Sequence, residues 1–187
     1  VQVFGGHGYI AEHGMERIAR DNRISTVYEG TTGIQSLDLI GRKVMGSGGK
    51  LLGSVTRLIY KYCDSLSDNA ELSAQAEKLL ELNKQWGALT QSIGEKTMEN
   101  PDELGAASVD YLMFGGYVIL GYMWLRMAAA AQQKIAQGCT DPIYRGKLAT
   151  AGFYFERILP RSNAHAEAIL AGADSTMALA EDEFILD

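Results

Sequence analysis

One carboxylate is distinguished by its neighbours: Glu29 lies between an aromatic residue, Tyr28, and a glycine, Gly30, in the stretch VYEGTTGIQ. This stretch leads into a predicted helix that begins at Thr32, and Gln35 stands at the spacing of a capping box. A carboxylate just before a helix usually stabilises the positive end of the helix dipole. It can also act as a general base if its surroundings bring its pKa near the working pH. Both interpretations are open from these residues alone.

The other groups that could bind or react are few. The glycine-rich residues 2–8, QVFGGHG, could simply end a helix, because glycine is the usual residue at such a stop. His7 and His13 have no further ligand at metal spacing, so we expect surface histidines and no metal site. Cys63 and Cys139 are far apart and form no CxxC motif, which favours free thiols in a reducing compartment.

The segments that must position these groups have mainly helical periodicity. Strand-like alternation is nearly absent, and residues 25–29 are expected to form a short extended loop. Short turn-like segments separate the long helical patterns, so neighbouring helices should pack antiparallel. The predicted fold is all-α, a helical bundle, with helical patterns over residues 15–24, 32–44, 51–66, 71–100, 101–137 and 142 to about 180.

Two features divide this pattern. Residues 46–50, GSGGK, are the best linker candidate and predict one region at 1–45 and a bundle at 51–187. Pro160 interrupts the last helical pattern and predicts a kink or break, because proline removes a backbone donor and clashes with the preceding turn.

Composition excludes some functions. The 187 residues carry 17 Lys and Arg against 23 Asp and Glu, a formal net charge of −6, with no basic block for a nucleic-acid backbone. The apolar run at 111–125 is shorter than the roughly 20 residues of a spanning helix, which indicates a bundle core rather than a transmembrane segment. No signal peptide is visible, and we expect a cytoplasmic location.

Three motifs in order carry a family resemblance. They are Q-x-x-G-G-x-G-Y at residues 2–9, R-D-x-x-I at 20–24 and Y-E-G-T-x-x-I-Q at 28–35. Together they resemble the C-terminal catalytic helical segment of the acyl-CoA dehydrogenases, FAD-dependent enzymes. More loosely, residues 51–187, with the RILP turn at 157–160, resemble the extra helical domain of bacterial members such as the 3-methylmercaptopropionyl-CoA type.

The resemblance implies roles for particular residues. Glu29 would be the base that removes the α-proton of an acyl-CoA thioester, while the flavin accepts a hydride from the β-carbon. Tyr28 and Gly30 would contact the substrate. The family often has glutamine or a small polar residue where this chain has Gly33, so a side-chain hydrogen bond to the cofactor from that position is lost or replaced by a backbone one. The implied FAD-binding residues are Gln2, Val3, Phe4, Gly5, Gly6, Thr31 and Gly33. Arg20 and Asp21 are expected to form a structural ion pair or cap.

The resemblance also implies partners and a wider context. The substrate would be an acyl-CoA in fatty-acid β-oxidation, the electron acceptor an electron-transfer flavoprotein or similar protein, and the assembly a homodimer or homotetramer. We expect the 187 residues to be the C-terminal part of a longer chain and to have neither bound flavin nor turnover alone. Two alternatives remain: an acyl-CoA oxidase, and a non-catalytic oligomerisation or partner-docking module.

Overall fold

The computed structural model describes residues 1–28 and 31–184, and these contain helices and turns but no strand. The predicted all-α fold is confirmed. Two compact units are present, Val1–Gln35 and Ser36–Asp187. The α-helices are α1 (Met15–Arg23), α2 (Thr32–Leu37), α3 (Lys50–Asp64), α4 (Ser73–Glu99), α5 (Asp102–Ala136), α6 (Pro142–Phe153) and α7 (Ser162–Ala171).

Helix α5 is the central element of the larger unit. It packs against α4, α6 and α7, and its residues Tyr111, Phe114, Val118 and Leu125 are completely buried. The Tyr111 hydroxyl lies 2.7 Å from Thr90 Oγ1 on α4, which gives the buried phenol a polar partner. The apolar run at 111–125 is therefore a bundle core along this face.

Length and composition alone would let α5 cross a membrane, and it is the one helix of the described chain with that property. Its completely buried residues are covered by neighbouring helices of the same unit. That is the environment of a core helix in a bundle.

The residues predicted as a linker form a compact turn. Helix α2 continues as a π-helical segment, Asp38–Val44, and a 3₁₀ turn, Met45–Ser47, follows. Gly48, at φ 61°, donates to the Met45 carbonyl, and Gly49 donates to the Val44 carbonyl at 2.9 Å. This is the bond pattern of a Schellman helix end, and α3 begins directly after it. A domain boundary at 46–50 stays a prediction.

The last helical pattern is broken as predicted but ends earlier. A π-helical turn, Tyr154–Ile158, and a 3₁₀ turn, Leu159–Arg161, separate α6 from α7, which confirms the effect of Pro160. Helix α7 stops at Ala171 rather than near residue 180, because Gly172 has a φ of 78° and Ala173 N donates to Glu103 Oε1 of α5 at 3.1 Å.

The expectation of an extended loop after α1 was wrong for the described residues. A 3₁₀ turn, Ile24–Thr26, continues the helix. The Ser25 hydroxyl donates to the Asn22 carbonyl at 2.6 Å, and the backbone N–H of both Val27 and Tyr28 donates to the Ile24 carbonyl. These local bonds override the extended preference of the β-branched residues.

Candidate functional site

All the predicted site residues fall in the unit Val1–Gln35. The first group lies on a 3₁₀ segment, Gln2–Tyr9, which Gly5 interrupts at φ 57° and ψ −140°. An added Cβ would meet nothing within 4 Å at either Gly5 or Gly6. The backbone at these two glycines is therefore open to close approach by a ligand.

Gly8 explains why this segment is so compact. A Cβ at Gly8 would lie 2.3 Å from the Val1 carbonyl oxygen, so only glycine fits at this position. Val1 is also held by the backbone N–H of Phe4, which donates to its carbonyl at 3.0 Å. The turn is thus closed on its inner side at Gly8 and open at Gly5 and Gly6.

The second group is the Tyr28–Gly33 stretch, and its predicted base is outside the described residues. The same holds for Gly30, so the roles of Glu29 and Gly30 stay predictions. Tyr28, beside Glu29 in the chain, is 66% exposed. Helix α2 begins at Thr32 as predicted.

The entry into α2 has an unusual backbone. Gln35 N donates to the Thr31 carbonyl at 3.0 Å, which is the first backbone bond of the helix. Thr31, and not Thr32, is therefore the N-cap residue, and Thr32 is the first helical residue. Thr31 has a φ of 58°, a region that a β-branched residue rarely adopts. Such conformations cost roughly 1–3 kcal/mol and concentrate at functional sites.

A concave surface borders α1 in the same unit, with a volume of about 910 Å³. Its lining includes two guanidinium groups one helical turn apart, those of Arg20 and Arg23, and the sequence predicted no binding role for either. The lining residues are Val1, Tyr9, Glu16, Ala19, Arg20 and Arg23.

The ion pairs of α1 differ from the predicted Arg20–Asp21 pair. Arg20 lies 3.5 Å from Glu16, and Arg17 lies 3.8 Å from Asp21. Two i,i+4 pairs therefore replace the predicted one.

Apolar side chains in this unit are unusually exposed. Val3 is 97% exposed and Tyr9 82%, and among the described residues of 1–35 Gly8 alone is buried. A carboxylate base needs desolvation to raise its pKa. The described part of this unit does not by itself supply a dry pocket.

The remaining candidates do not join a site. His7 and His13 lie with their rings edge to face, 5.7 Å between centroids, and the described residues contain no cluster suited to a metal. His165, on α7, is engaged within the bundle, and its Nδ1 lies 2.7 Å from Asp110 Oδ1 of α5. Cys63 is buried and Cys139 exposed, and both are free thiols as predicted.

The donor set at residues 2–6 suits a nucleotide cofactor. Backbone without side chains at Gly5 and Gly6 can approach a pyrophosphate closely, and the exposed Phe4 and Val3 offer apolar area beside it. The residues present therefore fit FAD at the level of chemistry.

Comparison with known families agrees with the all-α fold. Residues 55–180 match the family described as acetyl-CoA dehydrogenase C-terminal like, and residues 1–45 match the family described as acyl-CoA dehydrogenase, C-terminal domain. The all-α fold and these two matches place the chain in the class of C-terminal helical domains of these dehydrogenases. The chain belongs to the acyl-CoA dehydrogenase family.

Individual relatives extend over nearly the whole chain. A 3-methylmercaptopropionyl-CoA dehydrogenase of Ruegeria pomeroyi is 32% identical over 95% of this chain and 30% of its own length. A broad-specificity linear acyl-CoA dehydrogenase of Mycobacterium tuberculosis is 31% identical over 98% of this chain and 32% of its own length. The chain thus spans about a third of these relatives.

A third relative is similar over a short part of the chain. The caffeyl-CoA reductase–Etf complex subunit of Acetobacterium woodii is 49% identical over 41 residues, which are 22% of this chain and 11% of that protein.

Proposed function

We propose that this chain is the C-terminal part of an FAD-dependent acyl-CoA dehydrogenase that catalyses α,β-dehydrogenation of an acyl-CoA thioester. The observation that carries the proposal is that the Tyr28–Gly33 motif lies within the match to the acyl-CoA dehydrogenase C-terminal domain. Residues 1–45 would then end the catalytic helical domain, and residues 51–187 would be an appended bundle.

Glu29 is the proposed catalytic residue. Its carboxylate takes the proton from the α-carbon of the thioester, a weak acid, so the base needs a pKa near the working pH. The nearby start of α2 favours the ionised carboxylate, whereas burial favours the protonated form. Burial must have the larger effect, and it requires a substrate and protein groups beyond the exposed unit 1–35.

Tyr28 and Gly30 would position the substrate beside Glu29. FAD, when bound, supplies the acceptor for the hydride that leaves the β-carbon. The residues proposed to hold it are Gln2, Val3, Phe4, Gly5, Gly6, Thr31 and Gly33, with the open backbone of Gly5 and Gly6 facing its phosphates.

The isolated 187 residues are proposed to have no turnover and no bound flavin. This proposal is supported by the exposure of Val3, Tyr9 and Tyr28, which leaves the site without a water-excluding wall among the described residues of 1–35. In the intact protein, we propose a cytoplasmic enzyme that passes electrons to an electron-transfer flavoprotein or a similar acceptor. The Etf complex named for one relative is consistent with that acceptor.

The test is dehydrogenation of short- and medium-chain acyl-CoA by the intact enzyme carrying Glu29→Gln. We expect kcat/KM to fall by at least about a hundredfold, since a positioned base contributes roughly 10² to 10⁴ in rate. Glu12→Gln, an exposed acid of the same unit, is the matched control and should retain wild-type rates.

Unchanged turnover by Glu29→Gln would end the catalytic assignment and favour a non-catalytic docking module. Peroxide formed in proportion to substrate consumed would instead identify an acyl-CoA oxidase.

A further inference from the structure

Helix α5 carries an apolar stripe that stays exposed among the residues the structure describes. Val109, Met113, Leu120 and Met123 are 41%, 42%, 52% and 43% exposed, and Gly116 between them is exposed as well. This stripe is distinct from the buried face of the same helix. An exposed contiguous apolar surface of this kind marks an interaction site.

The spacing of the stripe is that of a coiled-coil seam. Its positions follow one another at intervals of four, three, four and three residues, and four more leads to Met127. An average period of 3.5 residues keeps side chains on one line when two helices pack along each other. The stripe therefore fits a second helix lying along α5.

The middle of the stripe contains a depression that can receive a side chain. It has a volume of about 380 Å³ and is lined by Leu112, Met113, Gly116, Tyr117 and Leu120. An added Cβ at Gly116 would meet nothing within 4 Å, so the depression is open at that residue. A leucine side chain from a facing helix would enter as a knob into a hole.

The seam is complementary to itself when reversed about Val118. Gly116 and Leu120 are each two residues from this centre, Met113 and Met123 are each five, and Val109 and Met127 are each nine. An antiparallel copy of α5 centred there would place the leucine of one helix opposite the glycine of the other, and thioethers opposite thioethers. Met side chains adapt well to such a contact.

Charge supports the same orientation. Asp102 and Lys134, each sixteen residues from Val118, stand at the two ends of the heptad pattern, and both are exposed. An antiparallel pair would bring each carboxylate toward the ammonium of the other helix, whereas a parallel pair would bring like charges together. Opposite charges at seam ends favour the antiparallel register.

We propose that two copies of this chain associate through the exposed stripe of α5 in an antiparallel, two-fold symmetric contact, with the register centred at the level of Val118, which itself lies on the buried face. Such an interface is isologous, since each partner contributes the same surface. The proposal concerns assembly, goes beyond the proposed function and does not rest on it.

The size of the seam sets the expected strength. From Val109 to Met127 the helix rises about 27 Å, and a helix face is about 10 Å wide. The area is smaller than that of a standard stable interface, about 800 Å² on each partner. We therefore expect a weak dimer that forms with rising concentration.

The first experiment is sedimentation equilibrium of the 187-residue chain from about 5 µM to about 500 µM, which spans the micromolar dissociation constants expected for a small interface. Leu120→Lys should raise the dissociation constant by about tenfold or more, because it buries a charge in the hole of the partner. Leu58→Lys, which changes a 54% exposed leucine of α3, is the control and should leave the dissociation constant unchanged. Circular dichroism at 222 nm checks that both variants are folded.

A monomer at every concentration would overturn the proposal. So would equal association of Leu120→Lys and the wild type, or binding to phospholipid vesicles with no self-association.

Cross-linking tests the orientation. In a Cys139→Ser background, Met113→Cys and Met123→Cys are prepared separately and mixed under oxidising conditions. The antiparallel register predicts that the mixed disulfide exceeds both homodimer disulfides, and predominance of the homodimers would refute that register. Cys63 is buried and gives little background.

Discussion

The contact of Gly115 with Trp86 allows a sharp test of the packing between α4 and α5. A Cβ added at Gly115 would lie 2.7 Å from Trp86 Cζ2 and 3.2 Å from Cε2. Trp86 is 5% exposed and its ring approaches that of the fully buried Tyr111, with centroids 6.2 Å apart, so the indole has little room to move. Gly115→Ala therefore overpacks the core.

The magnitude follows from two opposing effects. Replacing glycine by alanine inside a helix stabilises it by about 1 kcal/mol. Overpacking a core with one methyl group costs roughly 1–3 kcal/mol, and the enclosed indole places this site in the upper part of that range. We expect Gly115→Ala to lower the free energy of unfolding by about 1–2 kcal/mol.

Gly87→Ala is the matched control in the neighbouring helix. Gly87 is exposed in the interior of α4, and an added Cβ there would meet nothing within 4 Å. This variant should gain up to about 1 kcal/mol. Urea unfolding followed by circular dichroism gives both values, with equal slopes expected for the two variants. If Gly115→Ala is as stable as Gly87→Ala, the packing argument is refuted.

Two further predictions concern titratable groups. Burial raises the pKa of the Cys63 thiol to about 11, so at pH 8 a thiol reagent should modify Cys139 quickly and Cys63 only after denaturation; rapid modification of both in the native protein would contradict this. The hydrogen bonds from Arg42 and Lys43 lower the pKa of Asp38 to about 2, below its ordinary value of 3.8. That stabilisation is present above pH 4 and lost as pH falls toward 2, so the Tm difference between wild type and Asp38→Asn should close in that window; a difference independent of pH would argue against the ion pairs.

The sequence predicts those parts of the fold that local rules determine. Long helical periodicity gives α3, α4 and α5 nearly to their ends, and Pro160 marks the break before α7 because its missing N–H acts locally. The end of α7 was missed because Ala173 and its bond partner on α5, Glu103, are 70 residues apart in the chain. Such a contact leaves no local pattern.

The candidate site shows the same division. Motif spacing predicts Glu29 as the catalytic base and the turn at Gly5 and Gly6 as a cofactor contact. The open backbone of that turn agrees with a ligand contact. The positive φ of Thr31 could not be predicted, since threonine disfavours it intrinsically. The exposed seam of α5 could not be predicted either, because a buried face and an exposed apolar face contain the same types of residue. Leu120 and Leu125 differ only in what lies against them.

The most direct test of the central claim, that Glu29 removes the α-proton, is hydrogen exchange at the α-carbon of acyl-CoA in deuterium oxide. The intact enzyme is incubated with a saturated acyl-CoA without an electron acceptor, and deuterium in the recovered thioester is measured by mass spectrometry. We predict steady incorporation by wild type and Glu12→Gln, and a loss of at least about a hundredfold for Glu29→Gln. Incorporation at the wild-type rate by Glu29→Gln would contradict the account.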